Sequence, residues 1–471
     1  MSEETSTVTD LAAKLRGKLV DELCKWVPFR VATVEKAMRT VPRHMFLPDT
    51  PVEQAYSHGN VVTHRDSEGV AVSSASSAGT VAGMLQQLEV RPGHQVLEIG
   101  AGTGYNAALL AYLAGPEGEV TTVDIDADVA EGARRNLDAA GYGGVQAICG
   151  DGADGYPAAA PFDRIIVTAG AWDIPPTWLE QLAPAGRIVV PLRIRGLTRS
   201  VALERHGVGW RSVSVENDGF IPLRGAGHQP ERNIRLDDDG KLILRVDDGW
   251  PADAHALRRA LGRTPAQLWT GVMVTSKEKA TGFGNLDYFL AAPDGLCRLL
   301  TRSRDHGLVA PALAYGSMAL LDGETLAYLT KRPAGEASWY ELGVCAYGTA
   351  SEELASRATE RIRAWDTGRR LATQIEVYPS GAPVPSPGTD TLLTAAKRHV
   401  RVIVRTLSPM SETHERQQNE NAMPPDTAAA LNAVIADLFT LDRRAEPTED
   451  LTGDECSGDC TDDGCTRHTK C

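Results

Sequence analysis

Apolar residues recur at helical spacing over 11–27 (Leu11, Leu15, Leu19, Leu23) and again over 31–41, where Pro42 stops the run, so the chain is expected to open with two surface helices. A polar, glycine-containing loop is expected around 57–69. A third helical run follows over 79–88, and Pro92-Gly93 turns the chain into a strand. From there short apolar runs alternate with amphipathic ones. The pattern predicts strand 96–99, helix Tyr105–Ala114, strand Glu119–Asp124, helix 127–140, and strands 145–149, 164–168 and 187–191. Strands and helices in that alternation define an α/β unit with a doubly wound, Rossmann-like parallel sheet.

The texture changes near Pro230. Strand-like runs at 242–246, 269–274, 317–321, 339–346, 374–378 and 400–404 alternate with helical ones, clearest over 351–371, and predict a smaller α+β domain. Beyond Pro409 the chain is polar and Gln/Asn-rich, then carries one short amphipathic helix at 427–439 and an acidic Cys/Thr tail too poor in apolar residues to order itself. The expected units are therefore 1–230, 231–409 and 410–471. A length of 471 residues is in keeping with two or three cores.

Composition narrows the function. No apolar run approaches a membrane span, and the N-terminus is acidic and hydroxylated, so a cytoplasmic protein with no membrane partner is expected. A formal net charge of −14 argues against nucleic acid, whose phosphates need clustered Lys and Arg, and favours a polypeptide or small-molecule substrate. Of the 8 cysteines, Cys24, Cys149, Cys297 and Cys345 lie scattered in apolar surroundings as reduced core thiols, whereas Cys456, Cys460, Cys465 and Cys471 crowd the tail.

The densest chemical signal is Val96-Leu97-Glu98-Ile99-Gly100-Ala101-Gly102-Thr103-Gly104-Tyr105 at a strand-to-helix junction. Glycines at 100, 102 and 104 allow a tight turn and let a ligand lie against bare backbone. A dinucleotide fingerprint would need glycine where Tyr105 stands. The spacing found here, behind an acidic residue, suits a nucleoside without a pyrophosphate, which favours S-adenosylmethionine over NAD. Asp124 ends the second strand, where a carboxylate can accept both ribose hydroxyls or else cap the next helix. Gly150-Asp151-Gly152 ends the following strand and would flank the adenine. The candidate cofactor-binding residues are Glu98, Gly100, Gly102, Gly104, Asp124, Asp151 and Gly152, and this body of the chain calls for no metal.

Further motifs are more restrictive. The run Gly150-Asp151-Gly152-Ala153-Asp154-Gly155-Tyr156-Pro157, the stretch from Ala160 to Ala169, and Ile174-Pro175-Pro176 resemble the protein-L-isoaspartate O-methyltransferases. So do Val41-Pro42-Arg43 with Phe46, and Gly219-Phe220-Ile221-Pro222-Leu223. The likeness covers about residues 10–230. It implies a class I methyltransferase fold, S-adenosylmethionine as cofactor and a carboxylate as acceptor. Ser76 falls on the family's active-site serine and is the candidate catalytic residue. The family's T-I-S-x-P type motif is here Ser73-Ser74-Ala75-Ser76-Ser77-Ala78-Gly79, with Ala78 for the proline and Gly79 for a larger residue, so a wider pocket mouth is expected.

Methyl transfer to a carboxylate is an in-line displacement by a nucleophile already ionised at neutral pH, so positioning and desolvation, not a dedicated base, are the work to be done. The resulting aspartyl ester is attacked by the next backbone nitrogen, closing a succinimide that opens mainly to isoaspartate. The resemblance implies isoaspartate as substrate in repair enzymes and ordinary aspartate in a biosynthetic relative.

The tail bears on that choice. Phe439-Thr440-Leu441-Asp442, followed by Cys, Ser and Thr residues, resembles the leader box and core of a class I lanthipeptide precursor. In such a system the box is read by a dehydratase or cyclase, Thr448, Thr452, Ser457, Thr461, Thr466 and Thr469 are candidates for dehydration, and the four tail cysteines supply ring sulfur. The ribosomal peptide substrate could then be the chain's own C-terminal segment, a natural or engineered fusion. The competing readings are a zinc site from Cys456, Cys460, Cys465, His468 and Cys471, without hydrophobic residues to build a knuckle, or a plain acidic tail, either attached to a general repair methyltransferase. A degenerate scaffold carrying a peptide-binding module fits poorly with the complete cofactor constellation. Residues 231–409, outside the family-like part, are expected to govern peptide recognition and to leave cofactor binding to the first 230 residues.

Overall fold

The computed structural model describes residues 3–407 except 27–28, 68, 247–249, 277, 279–282, 292–294, 302–306, 314–315, 336–337 and 369–371. The whole 410–471 unit, with its expected helix, the Phe439–Asp442 box and the tail cysteines, lies outside the described residues.

Helices Glu3–Trp26 and Ala32–Thr40 form as expected. The loop expected near 57–69 instead holds the first strand of an antiparallel ribbon, β1 (Val61–Arg65) with β2 (Ala71–Ala75). β2 buries every second residue, but these are Ala71, Ser73 and Ala75, small or polar, so no apolar alternation announces it.

The central sheet begins with β3 (Gln95–Ile99), β4 (Glu119–Asp124), β5 (Gln146–Cys149) and β6 (Phe162–Val167), all parallel. β7 (Leu182–Ile194) pairs parallel with β6, and β8 (Leu197–His206) and β9 (Gly209–Asn217) continue antiparallel. The turn between β7 and β8 is Arg195-Gly196, both at positive φ, the two-residue hairpin geometry that matches strand twist. Period-2 burial sends alternate residues to opposite faces. Val96, Ile166, Val189 and Ala202 pack under the helices Ala32–Thr40, Ala78–Leu88 and Tyr105–Ala114, whereas Leu97, Ile99, Ile165, Val167, Ile188 and Val190 face the opposite core.

A second sheet of seven antiparallel strands follows: β10 (Arg232–Arg235), β11 (Leu242–Val246), β12 (Ala266–Thr275), β13 (Gly295–Thr301), β14 (Gly316–Asp322), β15 (Thr325–Pro333) and β16 (Trp339–Tyr347). One face is covered by helix Ala254–Leu261 and the other by helix Ser351–Gly368. The chain then returns. β17 (Thr373–Pro379), β18 (Thr391–Ala396) and β19 (Val400–Thr406) join the first sheet, which runs β18-β19-β17-β9-β8-β7-β6-β3-β4-β5. The boundary expected at 230/231 does mark a new sheet, but 373–406 belong to the old one. Short apolar strands carry no label of the sheet they will join, and only pairing decides it.

One core spans both parts. Ile194, Leu197, Val201 and Leu203 share a cluster with Val272, Val274, Leu320, Leu329, Val344, Ile362 and Val404. Cys297 and Cys345 are buried as expected, but Cys24 and Cys149 are exposed. Cys24 sits on helix Glu3–Trp26, beyond the stripe formed by Leu19, Val20 and Leu23. Cys149 ends β5, the edge strand of the sheet.

Candidate functional site

The strand order reverses between β3 and β6, and there, beyond the carboxyl ends of the strands, a cleft of about 1140 Å³ including its open mouth enters the fold. Its floor is the turn Ile99–Thr103. One wall is the β2 segment 72–76 and the other is 219–224, with Asp124, Gly152 and Thr168 between them.

All three motif glycines have positive φ: +103° at Gly100, +52° at Gly102 and +85° at Gly104. A Cβ on Gly100 would collide with the Thr168 hydroxyl, and one on Gly104 would stand 3.1 Å from the Ala133 carbonyl and the Leu137 side chain. These two glycines let helix Ala127–Ala139 and β6 close around the turn. At Gly102 the nearest atom to a Cβ is 3.7 Å away, so the space a side chain would fill is left to the cleft.

Asp124 reaches this turn from β4. Its Oδ2 accepts from the Gly102 N–H at 3.1 Å and its Oδ1 from the Asp126 N–H at 3.3 Å. Burial raises its pKa against those two bonds. The carboxylate thus shapes the glycine turn and faces the cleft. Gly152 also lines the cleft, packed so closely that a Cβ would run into Ile99.

Three candidates sit differently from the expectation. Gly104 does not line the cleft: its bare Cα makes room for the Ala133 carbonyl and Leu137 behind the turn. Asp151 does not line the cleft. Its Oδ1 accepts from the Ala153 N–H at 2.9 Å and its Oδ2 from the Ala226 N–H at 2.7 Å, so it fastens the 225–227 turn to the end of β5. Glu98 lines the cleft but is fully buried, and its oxygens are engaged by Asn106 Nδ2 at 2.7 Å and Thr122 Oγ1 at 2.6 Å. It braces the turn from inside.

Burial pushes the Glu98 carboxyl up to about 7 against those two hydrogen bonds, with Asp124 adding repulsion. The folded chain therefore holds this proton more tightly than the unfolded chain, where glutamate titrates near 4.5. The corresponding stability is complete below about pH 4.5 and is lost as the pH rises through about 7. Asp218, pushed up to about 7 by burial, acts in the same direction. Glu98→Gln is expected to remove its share, on the order of 3 kcal/mol, and to flatten the fall in stability between about pH 5 and 7.5. Urea melts across that range check this, and a slope equal to that of the wild type would assign it elsewhere.

Ser76 ends the β2 wall. Its hydroxyl has no hydrogen-bond partner among the described residues, and its carbonyl accepts from Arg43 Nη2 at 2.8 Å. Ser77 caps helix Ala78–Leu88, accepting from the Thr80 N–H, and Ala78 takes the first helical position, one that proline also suits. Gly79 does not bear on the width of the mouth. A Cβ there would point toward Leu23 of the first helix, 3.8 Å away, and Gly79 does not line the cleft. Among the cleft-lining residues to which the sequence reading gave no role are Arg43 and Asn60. Arg43 stood in the quoted Val41-Pro42-Arg43 run, but nothing local signalled that it would be buried beside the cleft.

The cleft therefore offers a carboxylate and a bare-backbone turn for a nucleoside, and opposite them a free hydroxyl. The sequence profile described as Protein-L-isoaspartate(D-aspartate) O-methyltransferase matches residues 14–228. A protein-L-isoaspartate O-methyltransferase of Methanopyrus kandleri is 41% identical over 216 residues, 45% of this chain and 92% of that protein. The chain belongs to the protein-L-isoaspartate O-methyltransferase family. A second relative, the protein-L-isoaspartate O-methyltransferase of Methanoregula boonei, is 40% identical over 210 residues, 45% of this chain and 93% of its own length. A solved protein-L-isoaspartate O-methyltransferase aligns at a TM-score of 0.43 and 22% identity, covering 77% of this chain and 96% of that one.

This methyltransferase is accordingly an enzyme of the S-adenosylmethionine-dependent class, acting on a protein or peptide carboxylate. The glycine turn and Asp124 fit that cofactor, since both leave donors, acceptors and space for a nucleoside. Among the described residues no helix is long and apolar enough to cross a membrane, and no group of His, Cys, Asp or Glu could hold a metal ion.

Proposed function

We propose that this methyltransferase esterifies an aspartate carboxylate in a ribosomally made lanthipeptide, leading through a succinimide to isoaspartate, with residues 410–471 as the peptide or its likeness. The observation that carries this reading is the presence, in one chain with a carboxylate-methylating domain, of the Phe439–Asp442 box directly before a Cys/Thr-rich stretch. Repair of damaged proteins, with a zinc-binding or plain acidic tail, is the alternative.

In the proposed reaction Gly100, Gly102 and Gly152 would admit the cofactor against the backbone, and Asp124 would accept its ribose hydroxyls. When bound, S-adenosylmethionine supplies an electrophilic methyl group on sulfur. Ser76 donates to one oxygen of the substrate carboxylate and turns the other toward the cleft. No base is needed, because the nucleophile is already ionised. Afterwards the backbone nitrogen following the esterified residue attacks the ester carbonyl, methanol leaves, and water opens the imide. In this reading the second sheet recognises the peptide. Its support is that every cleft-lining residue comes from the stretch ending at Arg224, which leaves 231–409 free for contacts farther along a substrate.

The modified residue is expected to be Asp463. Imide closure requires the next nitrogen to approach the side-chain carbonyl, and glycine obstructs this least. Asp463-Gly464 is the only Asp-Gly pair of the tail, whereas Asp454, Asp459 and Asp462 precede Glu455, Cys460 and Asp463. Its place between Cys460 and Cys465 would put it in or beside a thioether ring and make methylation depend on cyclisation. The full chain is incubated with the dehydrated, cyclised 410–471 peptide and S-adenosylmethionine, and tandem mass spectrometry locates the added methyl or the loss of water. Modification confined to another aspartate would overturn the assignment. Equal turnover of an unrelated isoaspartyl peptide, with none on the cyclised one, would favour repair.

A further inference from the structure

Arg43 is 1% exposed, yet no acidic side chain among the described residues pairs with it. Its Nε donates to the Ala55 carbonyl at 2.9 Å and its Nη2 to the Ser76 carbonyl at 2.8 Å. The guanidinium lies 5.0 Å from the centre of the Tyr105 ring. Its Nη1 is buried and has no partner. Asn60 repeats the pattern. Its Oδ1 accepts from the Ser77 N–H at 2.6 Å, while its buried Nδ2 donates to nothing. Both residues line the cleft, and through these bonds they flank Ser76 from opposite sides.

A buried cation without a counter-ion and a buried amide without an acceptor each cost stability, and a pair of them in one place asks for a missing anion. The anion that the reaction brings to Ser76 is a carboxylate, which has two oxygens for just such donors. We infer that Arg43 and Asn60 form, with the Ser76 hydroxyl, the subsite that receives the substrate's free carboxylate, the side-chain group of an aspartate or the α-carboxylate of an isoaspartate. The inference rests on carboxylate methylation by the family and not on which peptide is methylated.

The charge of Arg43 gives the subsite a recognisable signature. Methyl transfer turns a carboxylate and a sulfonium into an ester and a thioether, so charge is lost on the way to the transition state. A fixed cation beside the carboxylate therefore favours the bound ground state, and its effect falls on KM more than on kcat. The same cation disfavours a positively charged sulfonium relative to the neutral thioether, so it lowers affinity for S-adenosylmethionine relative to S-adenosylhomocysteine.

Asn60→Asp tests the subsite with little risk to the fold, because it keeps the acceptor for the Ser77 N–H and replaces only the orphan donor with an oxygen. In the full chain it is expected to raise KM for an isoaspartyl hexapeptide at least tenfold, with kcat within threefold and S-adenosylhomocysteine affinity within twofold by calorimetry. Arg43→Met should raise the ratio of S-adenosylmethionine to S-adenosylhomocysteine affinity at least threefold, a binding readout that needs no turnover, while Arg43→Lys should leave that ratio near wild type. A KM unchanged by Asn60→Asp, or an affinity ratio unchanged by Arg43→Met, overturns the inference. So does failure of both Arg43 variants to fold, which would make Arg43 a bolt between Ala55 and Ser76 and nothing more. If the wild-type chain ignores the hexapeptide, that failure belongs to the substrate reading, and the affinity ratio alone decides the subsite.

Discussion

A chain ended after Gly227 is expected to aggregate and to lose cofactor binding, even though it contains every residue that lines the cleft. Ile194, Leu197, Val201 and Leu203 on β7 and β8 are all at most 2% exposed, and much of their cover comes from residues beyond 231. Stripping that cover exposes a contiguous apolar face at a cost of about 25 cal/mol per Å². Polar ties are lost with it. Arg199, buried on β8, would lose its ion pair with Asp287. Asp173, in the loop after β6, would lose the His399 N–H that donates to its Oδ2 at 2.7 Å. Trp210 and Arg211 on β9 would lose their strand partners Val377 and Glu376, leaving an open edge for other chains to pair with. Size-exclusion chromatography, thermal melting and calorimetry with S-adenosylhomocysteine test this. A monomeric fragment that melts cooperatively within about 10 °C of the full chain and keeps its affinity would show that the shared core is dispensable.

Asp124→Ala is expected to weaken S-adenosylhomocysteine binding by one to two orders of magnitude. Charge-assisted hydrogen bonds from ribose hydroxyls to a part-buried carboxylate are worth about 1.5–3 kcal/mol. A second loss adds to the first, because the same carboxylate holds the Gly102 N–H and so fixes the turn on which the ligand lies. Asp124→Asn keeps an acceptor for Gly102 and separates the two contributions, and it should fall between alanine and wild type. Calorimetry measures both variants. Unchanged affinity in Asp124→Ala would remove Asp124 from the site and with it much of the case for how the cofactor is held.

How far the site could be read in advance depended on how local its parts are. Gly100, Gly102 and Gly104 need positive φ, and Asp124 ends a strand. Both facts are written in runs of a few residues, and the structure brings all four to one turn. Asp151 was legible as the end of β5 but not in its role, because its partner Ala226 lies 75 residues away in the chain. Arg43 and Asn60 were hidden for the same reason. Their significance is a missing partner, and a missing partner is a property of the space around a side chain.

The fold divides along the same line. Helical and strand periodicity over 95–194 follows from which positions must be apolar when a parallel sheet is covered on both faces, and that requirement is local enough to survive in the order of residues. The antiparallel ribbon β1–β2 buries small and polar residues and leaves no such trace. The return of β17, β18 and β19 to the first sheet is a choice of partner between strands far apart in sequence. Any apolar strand of suitable length would satisfy the local pattern, so that choice is made only when the two faces of β7–β9 are covered and the last edge is paired.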